Sequence, residues 1–184
     1  MTYVALLRGV NVGGNNMISM AALRADFTKL GFQEVASYIN SGNLLFKARD
    51  ADPRKLERKI EAMLSKRHQL ECKVVVRSLP EMAKLVESLP RTWNGDAEWR
   101  YNVIFLRHTI DSEKIVSTLA PKPDIEEVVY RPGTLLWRAQ VKHVTRTTML
   151  KLSAQKIFQD VTVRNVNTTK KLYDLMRRMA GSAG

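Results

Sequence analysis

The chain's 184 residues and 21.0 kDa are enough for one ordinary domain or two small ones sharing a core, and 45% hydrophobic against 26% charged residues argues against long disorder. No apolar run reaches the roughly 18 residues that span a bilayer, the N-terminal apolar stretch is too short for a secretory signal, and the single cysteine, Cys72, excludes a disulfide framework or a cysteine-based zinc finger. A net charge of +12 and a pI near 10.0 attract polyanions, and the expectation is a soluble, cytoplasmic protein with no membrane segment.

Residues 3–8 read as a buried strand, and 19–30 as a helix with Ala22, Leu23, Phe27 and Leu30 on one face. Residues 34–40 and 43–48 form a predicted hairpin around Ser41-Gly42. Asp52-Pro53 starts a helix whose apolar face is Leu56, Ile60, Met63 and Leu64, and residues 71–77 supply the next strand. Ser78 and Glu81 make a capping box for a helix carrying Met82, Leu85, Val86 and Leu89. After a connector at 90–100 the order returns: strand 101–107, helix 111–119, hairpin 126–140, a helix near 146–158, strand 161–165 and helix 168–179.

The return is also one of sequence. Val4-Ala5-Leu6-Leu7-Arg8 resembles Val103-Ile104-Phe105-Leu106-Arg107 at an offset of 99 residues. Gly42-Asn43-Leu44-Leu45-Phe46 resembles Gly133-Thr134-Leu135-Leu136-Trp137 at 91, and Val74-Val75-Val76-Arg77 resembles Val161-Thr162-Val163-Arg164 at 87. Three matches in one order, with offsets that only shrink, indicate a duplicated chain. Each half reads β-α-β-β-α-β plus one helix, the split βαβ order. The expected class is α+β: two tandem ferredoxin-like subdomains, 1–92 and 93–184, packed as one compact body. Strands apolar on both faces, such as 4–7 and 103–106, require cover on both sides of the sheet.

The offset drops by eight between the first and second matches, so the first half carries about eight added residues, placed at Gly9-Val10-Asn11-Val12-Gly13-Gly14-Asn15-Asn16. Glycine and asparagine serve long turns by themselves. In the split βαβ order, however, the loop after the first strand lies at the same sheet end as the hairpin. Arg8, Asn11, Gly13, Gly14, Asn40, Ser41 and Asn43 are therefore the candidate ligand-binding residues. Backbone N–H groups of a glycine loop entering a helix can hold an anion, and asparagine and serine can orient a phosphate or a base edge. The loop lacks the Gly-Lys-Ser/Thr ending of a Walker A motif and the G-x-G-x-x-G fingerprint. The hairpin strand offers one aromatic, Phe46, where an RNA recognition motif needs a set pattern of them.

Basic residues concentrate late in the chain: Lys142 to Arg178 contains nine of them against Asp160 and Asp174. Within this stretch Arg164, Asn165, Lys170 and Lys171 are the candidate anion contacts. With a helix starting at Thr168, two lysines in its first turn oppose the macrodipole, and a bound anion would relieve that cost. Other chemistry is thin. His68, His108 and His143 have no partners at metal-ligand spacing, Cys72 reads as a buried inert thiol, and the pairs Asp50/Asp52 and Glu126/Glu127 suit capping and solvation. No metal or cofactor is indicated.

Leu7-Arg8-Gly9-Val10-Asn11-Val12-Gly13-Gly14, Tyr38-Ile39-Asn40-Ser41-Gly42-Asn43 and Thr162-Val163-Arg164-Asn165 resemble the signatures of the bacterial family called domain of unknown function 1697, over nearly the whole chain from Tyr3 to about Met176. The resemblance implies a two-part fold of ferredoxin-like subdomains and no established activity. This chain departs from the family at Asn15, where members often carry a basic residue or histidine, and at Val166, where tryptophan is common. Two functions are in view: a binding module for nucleic acid or another phosphorylated ligand, and an enzyme acting on a small phosphorylated or nucleotide substrate. The second lacks a His, Cys or carboxylate in the two loop motifs to move protons.

Overall fold

The computed structural model describes residues 1–11, 17–49, 52–93, 96–149 and 156–181. Strand β1 (Thr2–Leu7), every residue of which is buried, leads to α1 (Met20–Lys29), β2 (Gln33–Ser37), β3 (Asn43–Lys47), α2 (Pro53–His68), β4 (Val74–Ser78) and α3 (Leu79–Glu87). The strands pair in the order β2-β3-β1-β4, each neighbour antiparallel. Then β5 (Trp99–Leu106), α4 (Lys114–Leu119), β6 (Glu126–Arg131), β7 (Thr134–Gln140) and β8 (Val161–Asn165) build a second antiparallel sheet, β6-β7-β5-β8, before α5 (Val166–Gly181). The fold is α+β with two four-stranded antiparallel sheets.

The duplication is visible in the registers. Ala5 pairs with Leu44 and Val76; Ile104, 99 residues on, pairs with Leu135 and Val163, which stand 91 and 87 residues beyond those partners. The N–H of Leu7 donates to Gly42 O at 2.8 Å, and that of Leu106 to Gly133 O at 2.9 Å. Arg8 N–H donates to Lys73 O at 3.1 Å and Arg107 N–H to Asp160 O at 3.0 Å. Each sequence offset therefore maps one sheet's hydrogen bonds onto the other's.

By compactness the chain forms one unit from Met1–Lys84 with Lys170–Gly184 and another from Leu85–Thr169. In the first, Tyr3, Ala5 and Leu7 of β1 share a core with Leu23, Phe27, Phe32, Phe46, Leu56, Ile60 and Leu64, its rings stacked or edge-on at 4.4–5.7 Å. Val4 and Leu6, pointing to the opposite face, are equally buried, as a doubly covered strand requires. In the second unit Ile104, Leu106, Leu135, Trp137 and Val161 pack with Ile115 and Leu119 of α4.

Local chemistry fixes the helix ends. Ser19 Oγ accepts from Ala22 N–H, and Asp52 accepts from Arg54 N–H at 2.9 Å ahead of Pro53. The Ser78/Glu81 capping box forms, with Ser78 N–H donating to Glu81 Oε2 at 2.7 Å and Glu81 N–H to Ser78 Oγ at 3.4 Å. Glu57 and Glu61, one turn apart on α2, accept the N–H groups of Val76 and Val74 at 3.0 and 2.9 Å. They cover the outer edge of β4 with side chains rather than another strand.

Several expectations are corrected. Ala22 is exposed, and Asp26 joins Leu23 and Phe27 on the buried face of α1, because a carboxylate with partners can sit where an apolar residue was expected. The strand expected from residue 71 begins at Val74, and the helix expected from 111 begins at Lys114, since the preceding segments spend their backbone groups on turns. Of the helix expected near 146–158, residues 150–155 lie outside the described residues; the flanks, Val141–Arg146 and Lys156–Asp160, are 3₁₀ turns. Helix α5 starts at Val166, with Asn165 Oδ1 accepting Asn167 N–H at 2.8 Å, so Asn165 caps it rather than Thr168. Lys170 and Lys171 thus fall in its second turn, where the macrodipole no longer opposes them strongly. Among the described residues, no helix is long and apolar enough to cross a membrane.

Asp26 binds Arg67 Nη1 through Oδ1, and its Oδ2 lies 2.8 Å from His68 Nε2. Burial pushes its pKa up, but the bond to His68 and the charge and bond of Arg67 outweigh this, and the carboxyl is held below its ordinary value. A depressed folded-state pKa gives stability that is complete above the ordinary aspartate range and is lost as pH falls through the lowered value. Asp26→Asn is expected to cost about 1–2 kcal/mol at neutral pH, part of the pair being screened because Arg67 is half exposed. Denaturant melts at pH 7 and pH 3 check this: the variant's deficit should shrink at the lower pH.

Candidate functional site

Because β1 and β2 both run antiparallel to β3, they are parallel to each other, and the loop after β1 meets the β2–β3 turn at one end of the first sheet. Asn11, in the left-handed region at φ 55°, ties the two together. Its Oδ1 accepts Ile18 N–H at 2.7 Å and its Nδ2 donates to Ile18 O at 2.9 Å, so one side chain closes the loop as a backbone pair would. The Ile18 N–H fixes which end of the amide is oxygen. Nδ2 therefore also faces Asn40, donating to Asn40 Oδ1 at 3.1 Å. That in turn turns the Asn40 Nδ2 group away from Asn11, on an exposed residue.

The other candidates divide between display and support. Asn43 is fully buried; its Nδ2 donates to Tyr38 O and to Ser41 Oγ, both at 3.1 Å, holding the turn and orienting Ser41 from beneath. Arg8 is half-buried just beyond β1, where the thiol of buried Cys72 donates to its carbonyl oxygen at 3.1 Å. Gly13 and Gly14 lie outside the described residues. Two features were missed in the sequence. Arg24 on α1 donates from Nη1 to Ser37 Oγ at 2.7 Å, placing a guanidinium at the end of β2. Ile39, 52% exposed, stands at φ 50°, a conformation that costs a β-branched residue on the order of 1–3 kcal/mol. The first acidic residue of the chain is Asp26, so the loop after β1 carries no negative side chain.

The C-terminal candidates divide between the two units: Arg164 and Asn165 belong to the second, and Lys170 and Lys171 to the first, which also holds this cluster. Arg164 donates from Nη1 to Thr162 Oγ1 at 2.9 Å and Val163 O at 2.8 Å, and both lysines are half-buried. A separate hollow of about 270 Å³ near Phe32 is lined by Lys47, Arg49 and Lys59. Lys47 already pairs with Glu34 at 2.6 Å, and Lys59 donates to Leu30 O at 2.7 Å beside the Phe32 ring.

In the second unit the corresponding sheet end is closed by its own carboxylate. Asp111 Oδ1 accepts from Tyr130 OH at 2.9 Å and Gly133 N–H at 2.8 Å, and burial with that bond pushes the Tyr130 hydroxyl pKa up. The carboxylate pair at 126 and 127 also departs from expectation. Glu127 pairs with Arg138 at 2.6 Å, but Glu126 is 2% exposed rather than solvated. Trp137 Nε1, Thr148 N–H and Oγ1, and Lys122 N–H all donate to it at 2.7–3.1 Å. Among the described residues, no group of three or more His, Cys, Asp or Glu is arranged to hold a metal.

These loops and the duplicated sheets place the chain among known proteins. It belongs to the family described as Protein of unknown function (DUF1697), which matches residues 1–137. It is similar to the solved structure of the conserved bacterial protein SP0830 from Streptococcus pneumoniae, with 28% identity, a TM-score of 0.82, and 95% of this chain and 98% of that one covered. A second structure, the acetolactate synthase small subunit from Thermotoga maritima, aligns over 89% of this chain and 96% of its own at 18% identity and a TM-score of 0.24, too low to bear on fold or function. No curated protein matches the chain.

Proposed function

We propose that this protein is a binding module for nucleic acid or another phosphorylated ligand, received where the loop after β1 meets the β2–β3 turn. The observation that carries the reading is the relay from Ile18 through Asn11 to Asn40, which presents the Asn40 amide N–H₂ as a donor already oriented before any ligand arrives. Arg8 and Arg24 stand at the same sheet end, no acidic side chain precedes Asp26, and the net charge of +12 draws anions toward the molecule. Lys170 and Lys171, with Arg164 and Asn165, are read as further anion contacts. We read each half as a ferredoxin-like unit with one added helix, a reading supported by the strand orders β2-β3-β1-β4 and β6-β7-β5-β8.

Fluorescence anisotropy of labelled oligonucleotides at low and near-physiological salt tests the binding reading. Asn40→Ala, which removes an exposed donor and one exposed hydrogen bond to Asn11, is expected to weaken binding about fivefold with only a small fall in melting temperature. Lys170→Ala with Lys171→Ala should weaken binding uniformly across sequences and flatten the salt slope by about 1–2. Binding unchanged in both variants sinks the proposal.

A further inference from the structure

We propose that the tip of the first hairpin receives an unpaired nucleobase, with Ile39 and Met17 against the ring faces and Asn40 donating to an acceptor on its edge. The ligand class is then single-stranded nucleic acid. This inference rests on the binding reading above and names what that site takes.

Among the described residues the exposed large hydrophobics are Met1, Met17, Ile39 and Val141. Two of them flank one hydrogen-bonded relay. Met17, 66% exposed, precedes Ile18, whose N–H and C=O both bond Asn11. Ile39 precedes Asn40, whose Oδ1 accepts from Asn11. Two exposed apolar residues are therefore the chain neighbours of the residues that orient one outward amide. Ile39 is the more telling, because an exposed β-branched residue in the left-handed region gives the fold neither burial nor a comfortable backbone. Glycine or asparagine would sit there more easily.

The duplicated half supplies an internal control. Gly42 corresponds to Gly133, but the registers match Tyr130, paired with Leu135, to Ser37, paired with Leu44. The first hairpin is therefore two residues longer, and Ile39 lies in its extended tip with no counterpart in the second. Tyr130 is half-buried and its hydroxyl donates to Asp111, which also accepts from Gly133 N–H. The second tip is thus closed by the chain's own acid. The loop after β1 has no acid to play that part, and its hairpin presents an apolar residue instead.

A phosphate by itself would use the cations and the Asn40 donor but gives Ile39 and Met17 nothing to cover. A base has two apolar faces and an edge of acceptors, and asparagine recognises such edges through its amide. In a duplex, stacking hides both faces and pairing hides the Watson–Crick edge, so the form that offers its faces is a single strand, whose phosphates the positive charge complements.

Ile39→Gly separates binding from folding, because glycine suits the backbone at this position. The variant is expected to melt no lower than the wild type, yet to bind a labelled single strand about fivefold more weakly. Its affinity for an abasic strand of the same length and charge should be unchanged, and the wild type should bind that abasic strand and the matching duplex more weakly than the base-bearing strand. Equal wild-type binding of base-bearing and abasic strands, or an unaltered affinity in Ile39→Gly, overturns this inference and leaves the binding module standing. Failure of every oligomer, abasic included, to bind at low salt would instead remove the binding reading itself.

Discussion

Glu126→Ala is expected to destabilise the protein by about 3–4 kcal/mol, more than any other single side-chain deletion proposed here. The carboxylate is buried and four groups from three places in the chain converge on it: Lys122 N–H at 3.1 Å, Trp137 Nε1 at 2.9 Å, and the N–H and hydroxyl of Thr148 at 2.9 and 2.7 Å. Truncation leaves those donors in a dry interior, each with its own desolvation cost. Glu126→Gln keeps the volume but turns an NH₂ toward donors, and about half of the loss should remain. The pH dependence has a definite sign. Burial raises the carboxyl's pKa, the bonds from Trp137, Thr148 and Lys122 together lower it by more, and the net value lies below the ordinary glutamate range. Glu126 therefore contributes fully above that range, and its contribution disappears as pH falls through the depressed value. Urea melts followed by tryptophan fluorescence at pH 7 and pH 3 should show the Glu126→Ala deficit shrinking in acid. A deficit under about 1 kcal/mol at pH 7 would mean that the carboxylate merely fills space.

The same residue shows where reading the sequence stops. Every link of the duplication was legible, because a repeated strand carries its burial pattern in its own residues: Ala5 and Ile104 take equivalent partners at the offsets read from the letters alone. The meeting of Asn11 and Asn40 was legible too, since parallel β1 and β2 bring those loops together whatever their side chains do. Glu126 was not, for its main partner lies 22 residues away and adjacent Glu127 is an ordinary half-buried ion pair. Asp26 was hidden in the same way by Arg67 and His68, whose sequence separations of 41 and 42 residues leave no local trace. Nor does a sequence display a dihedral angle: Ile39 in a hairpin reads as a strand residue until its φ of 50° is seen.

Gly42→Ala is expected to cost about 2–4 kcal/mol, from overpacking and backbone strain together. The Gly42 backbone sits at φ 70°, and a Cβ added there would lie 2.9 Å from Leu7 Cβ and 3.3 Å from both Leu7 O and Val10 Cβ. None of these atoms is the far end of a flexible chain. Leu7 is fixed in the central strand and donates its N–H to Gly42 O at 2.8 Å, so relieving the clash means parting the hairpin from β1. Gly31→Ala is the control, since Gly31 has φ 86° but nothing within 4 Å of its Cβ position; it should show the conformational cost alone, about 1 kcal/mol. The difference between the two variants in thermal or urea melts measures the close packing of the turn against β1. Equal losses would show that the hairpin gives way without cost. A loss at Gly42 well beyond that at Gly31 would show that the turn carrying Ile39, Asn40 and Ser41 is held rigidly to the sheet, as a donor oriented in advance of its ligand requires.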